Sequence, residues 1–275
     1  MTAEQSLREG RVEDALSQLQ EQVRNDPARS DLRVFLFQLL SVMGQWDRAL
    51  NQLTVAGEMD ASTLAMVQTY RGAVQCEALR KGVFQGTKSP LFFGEPEEWM
   101  ALLVQALSLS AAGKHAEAQE TRDRAFGLAP TTSGRIGDDA FAWIADADPR
   151  LGPMLEVVLN AKYYWVPFHR IHKIVIEEPV DLRDVVWTPA YFTWSNGGET
   201  VGLIPSRYPG TEESADGPVR LGRRTDWDEV AGGGFQGLGQ RMLATDGGEY
   251  PLLEVREVTL DTLEEGAPLP SPAGE

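Results

Sequence analysis

Cysteine, histidine and basic charge are all scarce in this chain. Its one cysteine, Cys76, cannot close an internal disulfide, and its helical, apolar-flanked setting marks it as a small packing residue. Three histidines leave little material for general bases or zinc ligands. With 25 Lys and Arg against 41 Asp and Glu, the formal net charge is −16. A field of that sign repels phosphate backbones and anionic lipid surfaces, which argues against nucleic acid and membrane as partners. The longest apolar run, residues 34–43, is broken by Gln38 and falls well short of a bilayer span. The first ten residues have neither a basic start nor an apolar stretch, so the expected location is cytoplasmic. What is present is ordinary for a folded protein, with 42% hydrophobic and 24% charged residues. Its 275 residues are about twice the ~150-residue prior for one domain, which predicts two modules.

Internal periodicity organises the first half. Gly10-Arg-Val12-Glu-Asp-Ala15-Leu16 recurs 34 residues on as Gly44-Gln-Trp46-Asp-Arg-Ala49-Leu50, the length of one tetratricopeptide helix-turn-helix unit. A third copy, Gly113-Lys-His115-Ala-Glu-Ala118, follows 69 residues after Gly44, two periods plus one. Glycine permits the tight turn between paired helices, alanine lets them approach, and proline stops the second helix. The pattern predicts helices over 3–9, 12–24, 30–42, 46–56, 61–81, 97–111 and 114–128, with Asp31 as a candidate cap for the third. Residues 82–96, with three glycines, two prolines and Leu91-Phe92-Phe93, read as an inserted loop.

Beyond Pro130 the texture changes. A polar linker over 131–137 precedes two expected short helices, 138–147 and 149–159, and from Tyr163 onward β-branched and aromatic residues dominate. Ser195-Asn196-Gly197-Gly198 between two strand-like runs predicts one hairpin, and Asp246-Gly247-Gly248 a second. The expected fold class is therefore α+β: an antiparallel tetratricopeptide-like helical array over 1–130, a bridging segment over 131–160, and a mainly antiparallel β module over 161–262. An acidic, proline-rich tail over 263–275 has a composition that does not bury.

The chemistry of sites is thin. Gly232-Gly-Gly234-Phe-Gln-Gly237 fits a dinucleotide-binding spacing, yet such a turn has to follow a strand and open a helix, and a β-like segment follows here. His169 and His172 could ligate a metal only from a helix, since residues three apart on a strand point to opposite faces. His115 replaces Val12 and Trp46 of the other repeats, a helix-packing position. The run Asp181-Leu-Arg183-Asp184 reads as an ion-pair cluster between modules. Trp99, Trp143 and Trp165 are either packing residues or a recognition surface. Neither catalytic residues, nor a metal, nor a cofactor is expected. The competing expectation is an enzyme or small-ligand binder with a pocket in the β module near 163–170 and 232–239.

Several longer strings carry a family resemblance: Gly94-Glu-Pro-Glu-Glu-Trp99-Met-Ala-Leu-Leu103, Ala145-Asp-Ala-Asp148-Pro-Arg-Leu-Gly-Pro153 and Lys162-Tyr-Tyr-Trp-Val-Pro167. Asp181-Leu-Arg-Asp-Val-Val-Trp187-Thr-Pro-Ala190, Ile204-Pro-Ser-Arg-Tyr-Pro-Gly210 and Gly237-Leu-Gly-Gln-Arg-Met242 add to it. In these, and along nearly its whole length, the chain resembles the ImpE/SciE family, also called TagJ, of bacterial type VI secretion accessory proteins. The resemblance implies a non-catalytic cytoplasmic adaptor. Its implied partners are the amino-terminal helix of the small contractile-sheath subunit and the AAA+ ATPase that disassembles the sheath; a homodimer through β edges is a further possibility. Repeat geometry, taken separately, places Val34, Gln38, Val42, Met100, Leu103 and Leu107 on the concave face of the array as a groove for that helix. Core and groove apolar positions look identical in sequence, so these six are equally readable as inter-helix core.

Overall fold

Gly10, Gly44 and Gly113 hold positive φ angles of 77°, 65° and 75°, a conformation that costs other residues about 1 to 2 kcal/mol. Each separates two paired helices, as the repeat predicts. The structure is a computed structural model in which residues 2–231 and 234–262 are described; the expected tail and Gly232 and Gly233 lie outside them. The array consists of α1 (Ala3–Arg8), α2 (Val12–Asn25), α3 (Ser30–Val42), α4 (Trp46–Met59), α5 (Leu64–Phe84), α6 (Glu98–Ala111) and α7 (His115–Leu128). Asp31 lies in the first turn of α3 rather than at its cap, and pairs there with Arg29. Among the described residues no helix is long and apolar enough to cross a membrane.

The second half is β from its start. After β1 (Leu91–Phe92) come β2 (Gly134–Ile136), β3 (Asp139–Phe141), β4 (Ile144–Asp146), β5 (Met154–Leu159), β6 (Lys162–Pro167), β7 (Ile171–Ile176), β8 (Trp187–Trp194) and β9 (Glu199–Pro205). The short α8 (Gly217–Arg220) precedes β10 (Thr225–Glu229), β11 (Phe235–Gly239), β12 (Met242–Thr245), β13 (Glu249–Pro251) and β14 (Glu257–Leu260). The main sheet has the order β1-β6-β5-β9-β8-β7-β14-β2-β3, with β10-β11 and β13-β12-β4 as smaller sheets. Every pairing in them is antiparallel except β1 with β6. Both predicted hairpins form, β8–β9 and β12–β13.

Two expectations are corrected. The helices expected over 138–147 and 149–159 are strands, because a six-residue run buried on both faces, Met154–Leu159, has the same continuous apolar signature as a buried helix segment. The inserted loop of the helical half gives strand β1 to the sheet, so the two halves share hydrogen bonds as well as a core.

That shared core follows from strand alternation. Met154, Val158, Tyr163 and Trp165 on one face of β5 and β6 join Leu39, Phe37, Tyr70 and Val74 of the helices. Leu155, Val157, Leu159 and Val166 on the other face join Ile174, Phe192 and Val258. The period of two thus sends alternate residues to two cores. Helix α5 belongs to the first core and packs directly on the sheet: Gly72 lies so close to Ala161 that a Cβ there would meet it at 2.4 Å. Cys76, also on α5, is buried, and burial pushes its thiol up to about 11.

The β module also covers the ends of the helices. Arg207 donates Nη1 to the Val42 carbonyl at 2.9 Å and Arg223 donates to the Arg8 carbonyl at 2.9 Å. These guanidinium groups satisfy carbonyls at the negative ends of α3 and α1.

Candidate functional site

A buried acid in an apolar strand fixes the geometry between the modules. Glu156 sits mid-β5 with no exposure, facing α5, and accepts two bonds from Arg80, at 2.7 Å from Nε and 3.0 Å from Nη2. Tyr163 and Arg241 donate to the same carboxylate. Arg241, itself fully buried, also pairs with Asp146 of β4 and donates Nε to the Pro205 carbonyl at 2.9 Å. Arg80 reaches further, to Glu77 and to the Arg207 carbonyl, while Trp187 holds Glu77 at 2.8 Å.

The two acids that share Arg241 titrate apart. Burial alone would raise Glu156, but the charges of Arg80 and Arg241 hold it down at about 2. Asp146 is raised to about 6, first by burial and further by the neighbouring Asp148, against the pull of Arg241. The network is structural: three acids, Glu77, Asp146 and Glu156, share two arginines, Arg80 and Arg241, and a buried charge left without its partner is costly.

Asp146 extends the network within the interior. It accepts from Tyr208 Oη at 3.1 Å and from the Asp148 amide at 2.8 Å, which pins β4 and the residue before it, Trp143. Beside β4 is an apolar hollow of about 440 Å³, lined among others by Phe126, Pro130, Trp143, Pro149, Pro153 and Ala244. Phe126 is 37% and Trp143 39% exposed, and Leu128, ending α7, is 50% exposed. Gly152 lets Phe126 into the wall, since a Cβ there would meet the ring at 2.4 Å. Contiguous exposed aromatic surface around a concavity is the usual mark of an interaction site, and Trp is enriched among binding anchors.

The groove expected from repeat geometry is overturned by burial. Gln38, Val42, Met100, Leu103 and Leu107 are all under 8% exposed, and Val34 is half-buried. Val42, Met100, Leu103 and Leu107 belong to the core shared with the β module, so these four positions are covered by this chain's own β module and not left open to a partner helix. Leu107 lines the cavity beneath the β10–β11 hairpin.

The remaining candidates fall into place. His169 pairs with Glu97 at 3.1 Å and packs beside Trp99, whereas His172 meets the Leu260 carbonyl at 2.9 Å. Among the described residues no cluster of three His, Cys, Asp or Glu residues is placed to hold a metal. The described part of the glycine run leads into β11, a strand, rather than a helix. Arg183 pairs with Asp181 and lies over the Tyr70 ring at 5.1 Å, bridging the modules. Trp99 and Trp165 are core, and Trp143 is surface. Sequence reasoning missed Phe126, Gly152 and the Arg80–Glu156–Arg241–Asp146 network; the lone acid within Met154–Leu159 is the signal that could have found the network.

Comparison with known proteins adds three findings. The family model described as ImpE protein matches residues 138–259, which include Trp143, Asp146, Glu156 and Arg241. The chain is 53% identical over 261 residues to a Pseudomonas aeruginosa protein named type VI secretion system accessory component TagJ, covering 95% of this chain and 92% of that one. The crystal structure of protein VPA1032 from Vibrio parahaemolyticus matches with a TM-score of 0.86 at 26% identity, covering 96% of this chain and 98% of that one.

Proposed function

This chain belongs to the ImpE family, also called TagJ, and from that premise we propose that it serves bacterial type VI secretion as a non-catalytic accessory adaptor. In this reading it captures the amino-terminal amphipathic helix of the small contractile-sheath subunit and connects the sheath to the AAA+ ATPase that disassembles it. The observation that carries the secretion role is the 53% identity to a named accessory component along nearly the entire chain. The apolar hollow lined by Phe126 and Trp143 supports placing the site there. An amphipathic helix presents anchors at i, i+3, i+4 and i+7, and a concave aromatic wall accepts one or two of them. The net charge of −16 favours basic residues on the helix's outer face.

Co-purification tests the reading. The small sheath subunit is expected to be retained by this protein with its first helix present and lost without it, and the ATPase is expected in the complex only together with the sheath subunit. Retention of the sheath subunit after deletion of its first helix would overturn the helix-capture mechanism.

A further inference from the structure

Helix α7 carries a buried guanidinium without a counterion. Arg122 is 8% exposed and its Nη1 donates to the neutral Gln119 amide at 2.8 Å; among the described residues no carboxylate lies within ion-pairing distance of it. Of the other buried arginines, three meet acids and one meets only carbonyls. Arg80, Arg220 and Arg241 contact acids, and Arg207 is directed at the carbonyls of Ser41, Val42 and Arg220. Arg122 instead lines a cavity of about 400 Å³ between the ends of α5 and α6, α7 and the β10–β11 hairpin, with Phe84, Leu107, Arg150, Phe235 and Gln236 in its wall.

We propose that this cavity binds a carboxylate carried on an apolar body, with Arg122 as its counterion. Arg150, the second cation in the wall, is already neutralised: its Nε is 3.0 Å from both oxygens of Asp148, and Nη1 donates to Gln236 at 3.2 Å. Arg122 is therefore the cation of this wall without a direct ion pair, Asp148 and Asp123 acting on it only from a distance, and a single carboxylate can take the contact left open. A planar carboxylate accepts two parallel bonds from a guanidinium fork. Phe84, Leu107 and Phe235 then cover its organic body. The volume lies within the range of small-molecule sites. Burial pushes Arg122 below its ordinary pKa, a penalty that a bound carboxylate relieves. The site is separate from the Trp143 hollow, and the proposal does not depend on sheath binding.

The ligand's source is either a free organic acid or a glutamate side chain on an apolar peptide, and ligand-observed NMR on the full chain distinguishes them. The probes are hexanoate, phenylacetate and the blocked peptide acetyl-Leu-Glu-Leu-amide, with hexanamide and inorganic phosphate as controls, all at millimolar concentration. At least one carboxylate probe is expected to bind, about tenfold more weakly to Arg122→Gln. Arg122→Lys, which keeps the charge without the fork, is expected between the two, and it holds the test open if Arg122→Gln does not fold. The better-binding probe class names the source. Failure of every carboxylate probe, unchanged binding in both variants, or equal binding of hexanamide or phosphate overturns the proposal.

Discussion

Arg80 of α5 and Glu156 of β5 lie 76 residues apart in sequence and meet through two hydrogen bonds of 2.7 and 3.0 Å. The bidentate pair ties the helical array to the sheet at a point where both side chains are buried. Glu156→Gln removes the charge that Arg80 and Arg241 share while keeping the volume. Breaking a buried pair by removing one partner costs about 3 to 5 kcal/mol, and urea unfolding with an unchanged m-value is the measurement that checks it.

Opposite pKa shifts in one network give a pH signature. Glu156, held at about 2, contributes stability that is present above its unfolded value and lost as pH falls through the acid range. Asp146, raised to about 6, binds its proton more tightly in the folded state, so its charging costs stability as pH rises from about 4 to about 6, on the order of 3 kcal/mol. Asp146→Asn is expected to flatten stability between those limits and leave the acid limb unchanged. Thermal melts across that window decide it; an unaltered slope in the variant would show that Asp146 does not titrate there.

The helices and the two hairpins were legible because local signals agreed with the global fold: period, glycine turns at Gly10, Gly44 and Gly113, and turn residues at Asn196-Gly197. Residues 154–159 were not, since burial on both sides erases the alternation that distinguishes a strand. The groove was misplaced for a related reason. Leu103 and Met100 are apolar at helical spacing whether they face a ligand or another module, and the module that covers them begins more than 30 residues later in the chain. Trp143 was visible as an aromatic candidate, but only the fold puts it beside Phe126.

Gly152 is where the hollow depends on a single backbone choice. Its φ of 53° and the Phe126 ring against its missing Cβ make Gly152→Ala destabilising by about 1 to 2 kcal/mol, chiefly through the left-handed backbone. The Phe126 ring is expected to swing outward, so partner affinity should fall more than stability does. Parallel melting and binding measurements check this, and a loss of affinity no larger than the loss of folded fraction would count against it.

The central claim is that the partner helix docks at Trp143. The direct measurement is fluorescence anisotropy of a labelled peptide carrying the amino-terminal helix of the small sheath subunit, titrated with wild type and with Trp143→Ser. Trp143 is a partly exposed surface residue, so the variant is expected to fold as wild type does by circular dichroism. The account predicts saturable binding to wild type and at least a tenfold weaker dissociation constant for Trp143→Ser, in the range of a hot-spot truncation. Equal affinity of the two proteins for the peptide would contradict it.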